Sequence, residues 1–279
     1  MTDRPEKKQR TEGYVLYYWP GIPGRGEYIR LQLEHAGLPY AECAPPVAAT
    51  VAAHIGDPAR PDVGSPPHFA PPALRVPGAR GLLSQTAAIV AHIAPACGLA
   101  GARGSRLATA AGVYARAREE ASTVSQLVLT ALDWQLEAHD THHPVASALY
   151  YEDQKAEALR RAEDFRTTRV PKFFRHFQAV LESNPDTAGA EGAGKTYLVG
   201  KQTTAADLVL FHVVSGLEFA FPRRVAKAKA SGKYALVFEL VERVKGEKGI
   251  KEYLASERRR KFSMGIFRHY PELDGEEED

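Results

Sequence analysis

The run Tyr14 to Tyr18 (YVLYY) has strand composition, and it meets Pro20, Gly21, Pro23 and Gly24 directly. Proline removes a backbone donor and glycine frees the chain, so the strand must stop there and the chain must turn. Beyond the turn, GRGEYIRLQLEHAG sets Ile29, Leu33 and Ala36 at helical spacing and stops at Gly37, a typical helix C-terminal glycine. This β-turn-α unit constrains everything after it. Pro39 to Ala44 is a short strand candidate, and the proline- and alanine-rich stretch up to Pro72 has no clear period. Ala73 to Val76 and Gly81 to Ser84 flank a Pro77-Gly78 turn, which predicts a hairpin, and QTAAIVAHIA predicts a helix. The order β-α-β-(irregular)-β-β-α is that of a small α/β domain with a mixed four-stranded sheet.

Beyond that domain the pattern is helical throughout. Apolar residues at spacings of three and four from Ser105 to His143, including Leu127, Val128, Leu132 and Leu136, predict one long helix or two stacked ones, with Pro144 near the end. Asp153 to Leu181 predicts another helix, kinked at Pro171. Asn184 to Lys195 is a glycine- and alanine-rich loop. Thr204-Ala-Ala-Asp207 then opens LVLFHVVSGLEFAF, apolar on every face, the pattern of a central buried helix. The Thr204 hydroxyl can accept from the amide three residues on while Asp207 reaches back to the Thr204 amide, an acidic capping box. Two amphipathic segments and an acidic tail follow. The expected division is a disordered leader over 1–12, an α/β domain over 13–97, an all-helical domain over 104–262 and a C-terminal tail over 263–279.

Composition narrows the function classes. With 36 Lys and Arg against 34 Asp and Glu, the formal net charge of +2 gives no single-sign field of the kind nucleic-acid binding needs. Cys43 and Cys97 stand 54 positions apart, so neither a disulfide framework nor a paired-cysteine zinc or redox spacing is present. The polar start MTDRPEKKQRTEG leads into no apolar segment, and no stretch approaches the roughly 18 apolar residues of a membrane span. A reducing, cytoplasmic setting is the expectation.

The turn after a first strand is where a thioredoxin-like domain presents its reactive group, and here it reads Tyr-Trp-Pro-Gly-Ile-Pro-Gly with no cysteine. Dithiol exchange is excluded there. A hydroxyl is available instead, from Tyr18, with Tyr17 on the opposite strand face, so one tyrosine should face the core and the other the cleft. YYWPGIPGRGEYIRLQLEHAG resembles the opening of tyrosine-type cytosolic glutathione transferases, particularly the sigma-like group, whose pattern is Tyr-aromatic-x-x-Arg-Gly-Arg-x-Glu-x-Ile-Arg. Gly24-Arg25-Gly26-Glu27-Tyr28-Ile29-Arg30 matches its second half. Tyr18-Trp19 matches the first half with one residue inserted, and Pro23 replaces the first arginine. Three further segments resemble the family in order: Pro72-Ala-Leu-Arg-Val its cis-proline strand, Leu83-Ser-Gln-Thr-Ala-Ala-Ile its glutamate-binding turn, and TTAADLVLF the cap of its buried helix. The resemblance runs from Tyr14 to Ser256.

The resemblance implies a thioredoxin-like domain plus a helical bundle, glutathione as co-substrate, and conjugation of its thiolate to small hydrophobic electrophiles in a detoxifying homodimer. The Tyr18 hydroxyl would donate to the glutathione sulfur, with Arg25 adding positive charge; Tyr17 or Arg25 are alternative activators. A free thiol of pKa about 8.5 needs roughly 2.7 kcal/mol to bring its pKa down by about two. A hydrogen bond to a charged acceptor supplies about 1.5–3 kcal/mol. Pro71, beside a cis-Pro72, would offer its carbonyl to the cysteinyl amide but has no amide of its own. Gln85 and Thr86 would hold the γ-glutamyl carboxylate at a helix N-terminus. Asp133 would meet the glutathione amino group from the partner subunit. For the glycyl carboxylate the usual lysine and tryptophan are absent between Thr50 and Ala70, leaving Arg60, His54 or His68.

Blander roles stand beside these. Tyr18 could be core packing, Arg25 could balance Glu27 or face solvent, and Gln85-Thr86 could be only a helix cap. His139, Asp140, His142 and His143 form a metal-like cluster in which His139 and His143 share a helical face, but no third ligand at matching spacing is evident; the resemblance puts this segment, with Tyr150 and Tyr151, near the electrophile pocket, and a lining role is the preferred expectation. Arg258 to Lys261 reads as a solvated helix end, and Cys43 and Cys97 as small buried hydrophobes. The alternative function is a non-catalytic glutathione-binding, structural or regulatory protein of the same fold, which the altered turn at Pro20 to Pro23 favours.

Overall fold

A computed structural model describes residues 13–43, 66–101 and 111–275, with side chains at 111–115 and 193 excepted. The leader, Arg60 and His54 lie outside the described residues. Strand β1 (Tyr14–Tyr17) pairs parallel with β2 (Tyr40–Glu42) and antiparallel with β3 (Ala73–Arg75), which pairs antiparallel with β4 (Leu82–Ser84). The sheet order is β2-β1-β3-β4, the expected mixed four-stranded sheet. Helix α1 (Glu27–His35) ends where Gly37, at φ 63°, lets the Gly37 and Leu38 amides return to the carbonyls of Glu34 and Leu33. With α2 (Thr86–Ile93) it covers one sheet face, where Leu16, Leu74, Ile29, Leu33, Ile89 and Ile93 are buried in the main core.

The helical region begins with α3 (Ala111–Asp140), a single long helix. The helix expected to kink at Pro171 is instead α4 (Lys155–Asp164), a π-helical turn (Phe165–Arg169) and α5 (Val170–Ser183). Proline lacks the amide that would reach residue 167, and its ring would strike that carbonyl; widening the preceding turn relieves both. Helix α6 (Ala205–Ala220) is buried along nearly its whole length, as its all-round apolar pattern requires. Its capping box closes, with the Asp207 carboxylate taking the Thr204 amide at 2.7 Å and the Thr204 hydroxyl at 2.6 Å. The two segments expected after it are three: α7 (Pro222–Ala230), α8 (Ala235–Gly246) and α9 (Lys248–Leu254), followed by α10 (Pro271–Asp274).

One expectation is corrected by charge. The basic run is not a solvated helix end: Arg258 pairs with Glu34 at 2.9 Å and Arg259 with the fully buried Glu27 at 2.9 Å, tying the helical region to α1. The segment given as the C-terminal tail packs in part on the buried helix. Ile266 and Phe267 are buried, and a Cβ on Gly216 would stand 2.3 Å from the Phe267 ring, so the ring occupies the space that glycine leaves in α6. No single helix among the described residues is long and apolar enough to cross a membrane.

Candidate active site

Strand register assembles one end of the sheet. Tyr17 lies opposite Ala73, and Ala73 opposite Ser84, so the next residues along, Tyr18, Pro72 and Gln85, share the row where all three strands end. Tyr17 and Tyr18 do point to opposite faces, but neither lies open. Tyr18 joins the main core at 6% exposure, and Tyr17 packs with Cys43, Ala73 and Leu82 on the other face at 8%.

The Tyr18 ring lies on the turn that follows it. A Cβ on Gly24, at φ 46°, would stand 2.2 Å from the Tyr18 hydroxyl, and one on Gly26 would stand 2.8 Å from its ring. Glycine at both positions is what lets the Arg25 amide reach that hydroxyl and donate to it over 2.8 Å. Burial pushes the Tyr18 phenol upward, with the Arg25 amide and the Arg25 and Arg30 cations opposing. The phenol therefore keeps its proton at neutral pH, and with an oxygen lone pair already engaged it is arranged to donate.

Arg25 does not balance Glu27. Glu27 accepts from Arg30 at 3.2 Å, from Tyr253 at 2.9 Å and pairs with Arg259, while Arg30 also donates to the Pro23 carbonyl at 3.0 Å and to Glu42 at 2.7 Å. This buried network holds the turn under Tyr18. Glu27 and Arg30, at i and i+3, belong to the sequence motif, but their partners Tyr253 and Arg259 carry no local signal. The His212 ring, fully buried in α6, is hydrogen-bonded to the Gly24 backbone and was also missed.

Across the row, the Pro71–Pro72 bond is cis, Pro72 is buried and Pro71 half-buried. Gln85 adopts φ 72°, ψ 118°, a conformation that costs a residue with a side chain about 1–3 kcal/mol, and this reversal lets β4 end and α2 begin within one residue. No side chain caps α2. The Thr86 hydroxyl beside those amides is buried with no hydrogen-bond partner. Ser84 meets His68 at 2.9 Å, which places one of the three expected glycyl-carboxylate candidates next to this turn.

Three imidazoles at the end of α3 stand close to the Arg25 side. His139, His142 and His143 have centroids 4.8–5.0 Å apart. Burial holds the His139 ring below the usual range, with the neighbouring His143 and Arg25 charges adding to it. His142 Nε2 donates to the Ile266 carbonyl at 2.9 Å, so this ring anchors the tail. No group of three or more potential ligands among the described residues is arranged to hold a metal ion. Tyr150 is exposed and Tyr151 is buried, its hydroxyl donating to Glu272 at 2.8 Å. Asp133 stands apart on the exposed face of α3, in a groove with Arg118 and Leu129.

The sheet, the cis proline and the buried central helix define the thioredoxin-like plus helical fold of glutathione S-transferases. Residues 139–257 match the family model for the glutathione S-transferase C-terminal domain. Prostaglandin synthase D of Nilaparvata lugens has a similar structure, at 17% identity and TM-score 0.59 over 90% of this chain and 100% of that one. The Pi-class glutathione S-transferase of Onchocerca volvulus does too, at 17% identity and TM-score 0.58 over 87% and 92%. No curated protein sequence matches the chain. The domain match covers less than half of the chain, and what the chain shares with these solved structures is the fold.

Proposed function

We propose that this protein is a cytoplasmic glutathione transferase of the tyrosine type, akin to the sigma-like group, that conjugates the glutathione thiolate to small hydrophobic electrophiles. The observation that carries this reading is the strand register that collects Tyr18, cis-Pro72, Gln85 and Thr86 at one sheet end. Tyr18, neutral and with its proton unassigned, donates to the sulfur and favours the thiolate, the nucleophilic form. Arg25 adds a nearby cation. The residues present fit glutathione: the uncapped α2 amides and the orphaned Thr86 hydroxyl suit its γ-glutamyl carboxylate, and the Pro71 carbonyl suits its cysteinyl amide. When bound, glutathione supplies the reactive thiol that the turn itself lacks.

A homodimer accompanies this reading. Leu129 and Leu136 on α3 and Phe69 are exposed, Phe69 by 93%, and Asp133 sits on the same helix, where it would meet the amino group of glutathione held by the partner subunit.

The test is a pH titration of the thiolate absorption of bound glutathione, with turnover of a generic aromatic electrophile measured alongside. A lowered thiol pKa with turnover supports a transferase. Binding with an unshifted thiol and no turnover marks a non-catalytic glutathione-binding protein instead, and absence of binding overturns both.

A further inference from the structure

Far from the Tyr18 row, a cleft of about 980 Å³ opens between α4, the π-helical turn, α7 and the C-terminal residues. The π turn brings Arg166 to it, and α7 brings Arg223 and Arg224. Such turns are rare and recur at functional positions. The acidic residues of the cleft are largely spoken for. Asp274 accepts from the Arg223 amide at 2.8 Å and the Arg224 amide at 3.3 Å, capping α7, and Glu272 accepts from Tyr151. Glu163 remains as an exposed carboxylate on the rim.

The cations are placed differently. Arg166 is anchored by the Leu273 carbonyl, and Arg223 donates to the Gly275 carbonyl at 2.8 Å. Arg224 has no such anchor: its Nε is buried with no hydrogen-bond partner. Burial lowers its affinity for a proton, with Tyr234 opposing and the Arg166 charge adding to the effect. Arg166 and Arg224 thus line one partly buried cleft, and among the described residues no carboxylate is bonded to Arg224. Arg160 and Lys227 add positive charge around them, while Leu159 and Ala226 supply apolar surface.

We infer that this cleft binds an organic phosphate, with the phosphate between Arg166 and Arg224 and the organic body over Leu159 and Ala226. A dianion offsets both guanidinium charges, whereas a monocarboxylate leaves one unopposed. The planar guanidinium fork also matches phosphate oxygens two at a time. The site does not depend on the glutathione reading, since it shares none of its residues with the Tyr18 row.

Calorimetric titration of the full chain with phenyl phosphate, benzoate and phenol tests the inference. Phenyl phosphate should bind, benzoate about tenfold more weakly and phenol not measurably. Arg224→Gln should weaken phenyl phosphate about tenfold, and Arg224→Lys, which keeps the charge and loses the fork, should fall between; matched circular dichroism melts check folding. Equal affinity in wild type and Arg224→Gln would overturn the site, as would absent binding. Binding seen only after Glu276, Glu277 and Glu278 are changed to glutamine would overturn it in favour of the chain's own acidic residues.

Discussion

The Arg25 amide donates to the Tyr18 hydroxyl across a turn whose two glycines leave room for nothing else. The bond engages an oxygen lone pair and leaves the phenolic proton for a ligand. Tyr18→Phe should therefore keep the fold, because the ring stays packed, and lose about 1.5–3 kcal/mol of thiolate stabilisation, roughly 10–100-fold in kcat/KM. The thiol pKa of bound glutathione should rise in the same variant. An unchanged pKa would move the role to Tyr17 or Arg25.

Thr86→Val separates binding from chemistry. Its hydroxyl has no partner among the described residues, so stability should change little, while KM for glutathione should rise about tenfold with kcat nearly constant. Equal loss in kcat would show that Thr86 acts on the reacting sulfur.

Glu27 is fully buried, and Arg30 and Arg259 both depend on it. Removing one member of a buried ionic group leaves the others uncompensated, so Glu27→Gln should destabilise by about 3–5 kcal/mol in urea unfolding. Arg259→Gln, at the more accessible end of the network, should cost less.

Acid should weaken the fold through the histidines. Burial pushes His142 down to about 3, and His139, His143 and His212 are lowered by burial as well. A histidine whose folded pKa lies below its unfolded value of about 6.5 binds more protons when unfolded. Its contribution is thus complete above pH 6.5 and is lost as pH falls toward 3. Urea midpoints measured from pH 7 to pH 4 should fall, and His142→Gln should flatten that slope. A midpoint independent of pH would contradict the assignment.

Much of the fold was legible because its signals are local. The turn glycines and prolines marked the end of β1, Pro77-Gly78 marked the hairpin, and Thr204 with Asp207 marked the buried helix. The site's row was legible only through motif order, since register depends on pairing between distant strands. What could not be read is non-local. Arg259 looked like part of a solvated run because its partner lies in α1, and the bond from His142 to Ile266 spans more than a hundred residues. The π turn escaped because proline signals a disturbance without saying how the chain absorbs it.

The ionic network around Glu27 also bears on synthesis. One of its carboxylate oxygens meets Tyr253, 226 residues further along, and Arg259. While a ribosome is still making the helical region, that oxygen has only water to satisfy it, so α1 cannot be fully dried. The buried carboxylate of α1 can therefore be fully partnered only once residues 253 and 259 have been made.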